Sequence, residues 1–175
     1  DMVRKTSALG KEVSGHYGNV NVTISPFVPK PHTPFQWSRM QSAQELKRKV
    51  NILKDGLSRR GVIKLKFHNP ERSYLEGVFA RGDRRLGALL VAAWQAGCKF
   101  DAWEEVFDFN KWQTVLDKLP PVNGQSPSGD AHLPMADFYA LRVRAETEVL
   151  PWDMIDVGIT KAQLLEDWHQ AMNPS

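Results

Sequence analysis

Four prolines fall within nine positions, Pro26, Pro29, Pro31 and Pro34, directly after the alternating run Val20-Asn21-Val22-Thr23-Ile24. The run has β-branched residues at four of five positions and reads as a strand. The prolines forbid helix and remove ladder donors. Each pushes its preceding residue toward extended geometry. A strand therefore has to lead straight into a stiff loop, and stiff loops at strand ends are where α/β folds place ligand contacts.

The segments around this loop carry their own signals. Residues 1–14 read as the tail of a helix, ended by the turn residues Gly15, Gly18 and Asn19. Ser42 and Glu45 form an S-x-x-E capping box, followed by an apolar stripe at Leu46, Val50, Leu53 and Leu57. Val62 to Phe67 reads as a second short strand. Asn69-Pro70 is a cap with proline at the first helical position, predicting a helix from Glu71 to Arg81. Gly82-Asp83 breaks the chain, and the apolar run from Arg84 to Gly97 predicts a buried helix. Asn110 is expected to cap a helix through Leu119. Two turns are expected over 135–141, an extended stretch from Glu148 to Asp153, and a last helix from Lys161 to Met172 capped by Thr160.

One cysteine, Cys98, excludes an internal disulfide and any site needing several thiolates from this chain. It reads as a small buried hydrophobe at a helix end. The apolar run at 86–97 is too short to span a bilayer. The residues after Asp1 carry no apolar region of the kind a secretory signal needs. The expectation is a soluble cytoplasmic protein without a membrane partner. Because the chain opens on Asp1 rather than Met, and one strand needs neighbours to be stable, a reading frame that starts further upstream is also expected.

The net charge of +3 conceals two opposed halves. Lys47 to Arg85 holds twelve Lys/Arg against four Asp/Glu, whereas Asp101 to Ser175 holds five against thirteen. The halves either neutralise each other or leave a basic face for phosphate. Lys64, Lys66 and His68 share one face of the second strand. With Arg81, Arg84 and Arg85 they are the candidate nucleic-acid contacts, and RNA rather than DNA is the partner considered. The same cations also read as a solvated face. No G-x-S-x-G, phosphate loop, G-x-G-x-x-G or H-E-x-x-H is present. Asp153 with Asp156, and Glu104 with Glu105, read as turn caps and solvated carboxylates.

Two separated motifs resemble one family. Val20 to Trp37, VNVTISPFVPKPHTPFQW, resembles the last barrel strand and exit loop of radical SAM enzymes of a group with a cobalamin-binding-type N-terminal domain. Leu150 to Lys161, LPWDMIDVGITK, resembles a second signature of that group, and Phe67-His68-Asn69-Pro70 and the Ala88-Leu89-Leu90-Val91 helix are in keeping. The resemblance implies an α/β fold: the end of a partial (β/α) barrel over 1–40, then a mostly helical α+β part. That part would comprise a basic helix–strand–helix region at 41–119, a linker at 120–134 and a C-terminal segment at 135–175.

It also implies S-adenosylmethionine and a [4Fe–4S] cluster as cofactors of the complete enzyme, with cobalamin as a further one. The cluster's C-x3-C-x2-C loop would lie upstream, so the missing N-terminal part of the same polypeptide is the first partner. On this reading the chain is a fragment that is not catalytic alone. Ile24, Ser25, Pro26 and Phe27 would contact the adenine of the cofactor, and Lys30 and His32 would face substrate. The alternative function is an RNA- or protein-binding module using the basic face from Arg59 to Arg85; a purely structural cap on the barrel is the third reading.

Overall fold

The structure, a computed structural model, describes residues 2–57, 62–120 and 133–173. Arg59, Arg60, His132 and most of the expected linker at 120–134 lie outside the described residues. The fold is α+β, about half helical, with one small parallel sheet. It divides into two compact units, and each draws on two separated stretches of chain.

The first unit combines Asp1–Phe27 with Gln41–Ser73. It contains helix α1 (Met2–Ser14), strand β1 (Val20–Ile24), helix α2 (Ala43–Leu57) and strand β2 (Ile63–Phe67). β1 and β2 pair in parallel, with Val20 opposite Ile63 and Ile24 opposite Phe67. α1 packs on β1 and α2 on β2. Alternation sorts the side chains: Val20, Val22, Ile24, Ile63, Leu65 and Phe67 are buried or half-buried, and Asn21, Thr23, Lys64 and Lys66 are exposed.

Local chemistry fixes the ends of these elements. Gly15, at φ 78°, closes α1, and its N–H reaches the Lys11 carbonyl at 3.0 Å. The Ser42–Glu45 capping box forms in both directions: Ser42 N–H donates to Glu45 Oε2 at 2.8 Å, and Glu45 N–H to Ser42 Oγ at 3.2 Å. Asn69 Oδ1 accepts from Glu71 and Arg72 N–H and so starts helix α3 (Pro70–Arg81).

The second unit combines Val28–Met40 with Tyr74–Ser175, the boundary falling inside α3. It holds the 3-10 turn Pro34–Trp37 and helices α4 (Leu86–Gln95), α5 (Phe109–Leu116), α6 (Met135–Ala140) and α7 (Lys161–Met172). Its main core joins Leu75 and Val78 of α3, Leu89 and Ala93 of α4, Trp112 and Val115 of α5, and Met135 and Tyr139 of α6. A second cluster joins Trp37, Leu150, Trp152 and Leu164.

Four sequence expectations need correction. The two turns expected over 135–141 are one short helix, α6, whose Met135, Ala136, Tyr139 and Ala140 are buried in the main core. α4 is apolar all round, but only the stripe Leu86, Leu89 and Ala93 is buried; Leu90, Val91 and Trp94 are more than half exposed because α4 is covered on one side only. α5 is capped by Asp108, not Asn110: its side chain accepts from Asn110 N–H at 3.0 Å and is the better acceptor for the orphan amides. The stretch expected to be extended turns at Leu150–Ile155, where Asp153 N–H reaches the Leu150 carbonyl at 3.0 Å and Asp153 Oδ2 accepts from Leu150 N–H at 2.9 Å. Pro151 favours the turn, and the Asp side chain closes it.

Two helical glycines give opposite predictions. A Cβ on Gly10 of α1 would sit 2.5 Å from Gly18 N and 2.8 Å from Gly18 Cα, both backbone, whereas a Cβ on Gly56 of α2 meets nothing within 4 Å. Gly→Ala in a helix gains about 1 kcal/mol, and overpacking costs about 1–3 kcal/mol. Gly10→Ala is expected to lower, and Gly56→Ala to raise, the urea midpoint.

Candidate functional site

The second unit draws the proline-rich loop and the LPWD segment together. Gln36, buried in the 3-10 turn, accepts on Oε1 from Trp152 Nε1 at 2.6 Å and from His32 N–H at 3.2 Å. The second bond holds His32 at φ 54°, a left-handed conformation unusual for a residue with a Cβ. Trp37 packs with Leu150, Trp152 and Leu164, and its carbonyl accepts from Arg144 N–H at 2.9 Å. The two motifs that carry the resemblance, 116 residues apart at Gln36 and Trp152, form one packed body.

Behind this body lies a network of buried arginines. Arg81 is fully buried at the end of α3, donating Nη1 to the Ala140 carbonyl at 2.7 Å and Nη2 to the Arg142 carbonyl at 3.0 Å. Arg144 donates to the Arg81 carbonyl and to Glu148 Oε1, and Arg142 grips Glu148 through both oxygens. The Arg144 guanidinium lies 5.2 Å from the Trp152 ring, and that of Arg142 lies 4.2 Å from Phe138. Two guanidiniums thus share one carboxylate, and the third, Arg81, is satisfied by carbonyls. Burial, then the repulsion of the other arginines, lowers Arg81 to about 9; burial and Arg142 lower Arg144 to about 10. Burial pushes Glu148 up, but the hydrogen bond from Arg142 and the charges of all three arginines outweigh it and hold it below its ordinary value. Nε of Arg81, Arg142 and Arg144 finds no acceptor among the described residues.

A groove of about 880 Å³ opens between the corner joining α3 to α4 and the Pro151–Ile155 turn. Asp83, Arg84 and Arg85 line one side, and Trp152, Met154 and Ile155 the other. Arg85 grips Asp83 through its side chain, with Nη2 to Oδ2 at 2.6 Å, which holds the Asp83 carboxyl down to about 2. Burial, then the neighbouring Asp83, pushes the Tyr139 hydroxyl up to about 12.

The sequence-derived candidates divide between the units. Ile24, Ser25, Pro26 and Phe27 lie at the C-terminal end of β1 in the first unit; the Ile24 carbonyl is already used by His68 N–H at 3.1 Å, and Ser25 and Phe27 are exposed. Lys64, Lys66 and His68 are exposed along β2 and just beyond it. Lys30 and His32 belong to the second unit, with Lys30 paired to Glu76 and His32 half-buried. Arg81, Arg84 and Arg85 also belong there. Arg81 is not a phosphate contact: its guanidinium is sealed among main-chain carbonyls. Arg85 is committed to Asp83, and Arg84 alone of the three makes no side-chain contact among the described residues. The sequence reading missed Gln36, Arg142, Arg144 and Glu148. The available signal was two of the few cations in the acidic half, placed four and six residues before a glutamate.

An uncharacterized protein of Methanocaldococcus jannaschii, MJ0966, is 28% identical over 82 residues. The match covers 47% of this chain and 18% of that protein. No family model and no solved structure matches the chain. Among the described residues no helix is long and apolar enough to cross a membrane.

Glu148→Gln leaves two buried guanidiniums without a counter-charge, which is expected to cost about 3 kcal/mol. Because the folded carboxyl is depressed, its contribution is complete above its unfolded pKa and is lost as pH falls through the folded value. The wild-type chain should lose stability across that acid range, and Glu148→Gln should flatten the loss in urea titrations at successive pH values.

Proposed function

We propose that the chain is the C-terminal part of a radical SAM enzyme, carrying the end of its barrel and a mostly helical C-terminal body. The observation that carries this reading is the first unit's sheet. Two parallel strands with covering helices leave the face of Asn21, Thr23, Lys64 and Lys66 bare. Parallel sheets are ordinarily covered on both faces, and a pair of strands is marginal alone. Further strands of a barrel would complete it. The packing of the proline-rich loop against the LPWD turn adds support, since both motifs carry the resemblance.

The cofactors fit unequally. A [4Fe–4S] cluster does not fit these residues, because the chain has one cysteine and burial pushes its thiol up. S-adenosylmethionine fits better. Ser25 and the exposed Phe27 stand at the C-terminal end of β1, where α/β folds bind ligands, and would offer a polar edge and an apolar face to an adenine. That contact binds and orients; none of these residues supplies the electron that the chemistry requires.

The experiment is to read the gene upstream of the Asp1 codon and assay the full-length protein under anaerobic conditions. A C-x3-C-x2-C roughly 150–200 residues earlier, as a barrel of about 200 residues requires, with 5′-deoxyadenosine formed from S-adenosylmethionine and a reductant, supports the proposal. A start codon adjoining Asp1 overturns it.

A second reading is favoured by Lys64 and Lys66, which share the bare face and make no side-chain contact among the described residues. The face would bind an RNA backbone. Lys64→Gln with Lys66→Gln should then weaken tRNA binding by the chain and reduce its salt dependence by about one to two in log–log slope. Unchanged binding rejects this reading.

A further inference from the structure

The groove of the second unit has a charge imbalance that its own residues leave unsettled. Arg85 and Asp83 balance each other across its floor. Arg84 is exposed beside them, and its side chain makes no hydrogen bond or ion pair among the described residues. Beside the groove, Arg142 and Arg144 share the single carboxylate of Glu148, while Arg81 is held by main-chain carbonyls alone. Arg81 is flanked in sequence by Ala80 and Gly82, which both line the groove. Arg144 stacks on Trp152, which lines it too. Buried cations without counter-charges are costly, and here they converge on one side of one concavity.

The opposite wall is apolar and unusually open to solvent. Met154 is 88% exposed and Ile155 57%. Both stand on the Pro151–Ile155 turn, which Asp153 and the Trp152 carbonyl hold in place. Large apolar side chains grouped at a concavity mark contact with a ligand. The volume lies within the range of small-molecule sites, about 300–1,000 Å³.

We propose that this groove binds a small organic anion whose carboxylate or phosphate lies at Arg84 and whose apolar body lies on Met154, Ile155 and the Trp152 edge. Arg84 supplies the direct contact. The buried arginines behind it raise the local potential without touching the ligand. Asp83 keeps Arg85 turned along the floor, so specificity for the anionic group rests on Arg84. This proposal goes beyond the radical SAM reading and does not depend on it, since no cluster residue or barrel strand enters it.

The test is titration of the ¹⁵N-labelled 175-residue chain with four probes: phenyl phosphate, phenylacetate, inorganic phosphate and benzyl alcohol. At least one of the two aromatic anions is expected to shift the amides of Gly82, Arg84 and Ile155, at least tenfold more tightly than inorganic phosphate or benzyl alcohol. Which of the two binds separates a phosphate ligand from a carboxylate one. Arg84→Ala, at an exposed position, should weaken that binding at least tenfold. Ile155→Asp, which puts a negative charge on the apolar wall, should do the same. Lys64→Gln, in the other unit, should leave it unchanged. Binding by neither aromatic anion, equal binding of benzyl alcohol, shifts centred on Trp94 and Trp103 instead, or indifference to Arg84→Ala would each overturn the proposal.

Discussion

Glu148 is the counter-charge on which the second unit depends. Its two oxygens hold Arg142 and Arg144, and Arg144 in turn holds the Arg81 carbonyl at the end of α3. Arg81 in turn holds the carbonyls of Ala140 and Arg142. One carboxylate thereby ties α3, the end of α6 and the segment leading to the LPWD turn. A buried ion network of this kind is weak evidence for stability, because desolvation offsets much of the attraction. Its effect is geometric: it aligns Arg144 on the Trp152 ring and places the α3–α4 corner opposite the Pro151–Ile155 turn.

The parts of the fold written in nearest neighbours were legible in the sequence. The strand at Val20–Ile24, the Ser42–Glu45 box, the Asn69 cap and the Thr160 cap are each decided within a few residues, and each formed as the pattern implied. The misreadings share one cause: tertiary context chose between locally equal options. Hydropathy made α4 a buried helix, but neighbours cover one side of it. Asp108 starts α5 two residues before Asn110 by accepting the Asn110 N–H. Leu150 to Ile155 carries no turn glycine, and its turn is closed by the Asp153 side chain.

The candidate site was less legible, because its contacts are long-range. Gln36 reads as one polar residue among prolines and aromatics until Trp152 donates to it. Arg81 reads as one cation in a basic run, although it is fully buried. The resemblance marked both motifs without implying that they touch. What the pattern did locate is the exposed row Lys64 and Lys66, since strand alternation alone sets which face such residues share.

The proline-rich loop and the LPWD turn form one body through Gln36 and Trp152, and a double-mutant cycle on these two residues tests that contact most directly. Gln36→Met, Trp152→Phe and the double variant are compared in urea unfolding of the whole chain. Residues in direct hydrogen-bonded contact couple by about 0.5–3 kcal/mol, whereas distant ones add to within about 0.5 kcal/mol. A coupling of about 1 kcal/mol or more is the predicted result. Additive losses would show that the two motifs do not meet, and would contradict the site built on their contact.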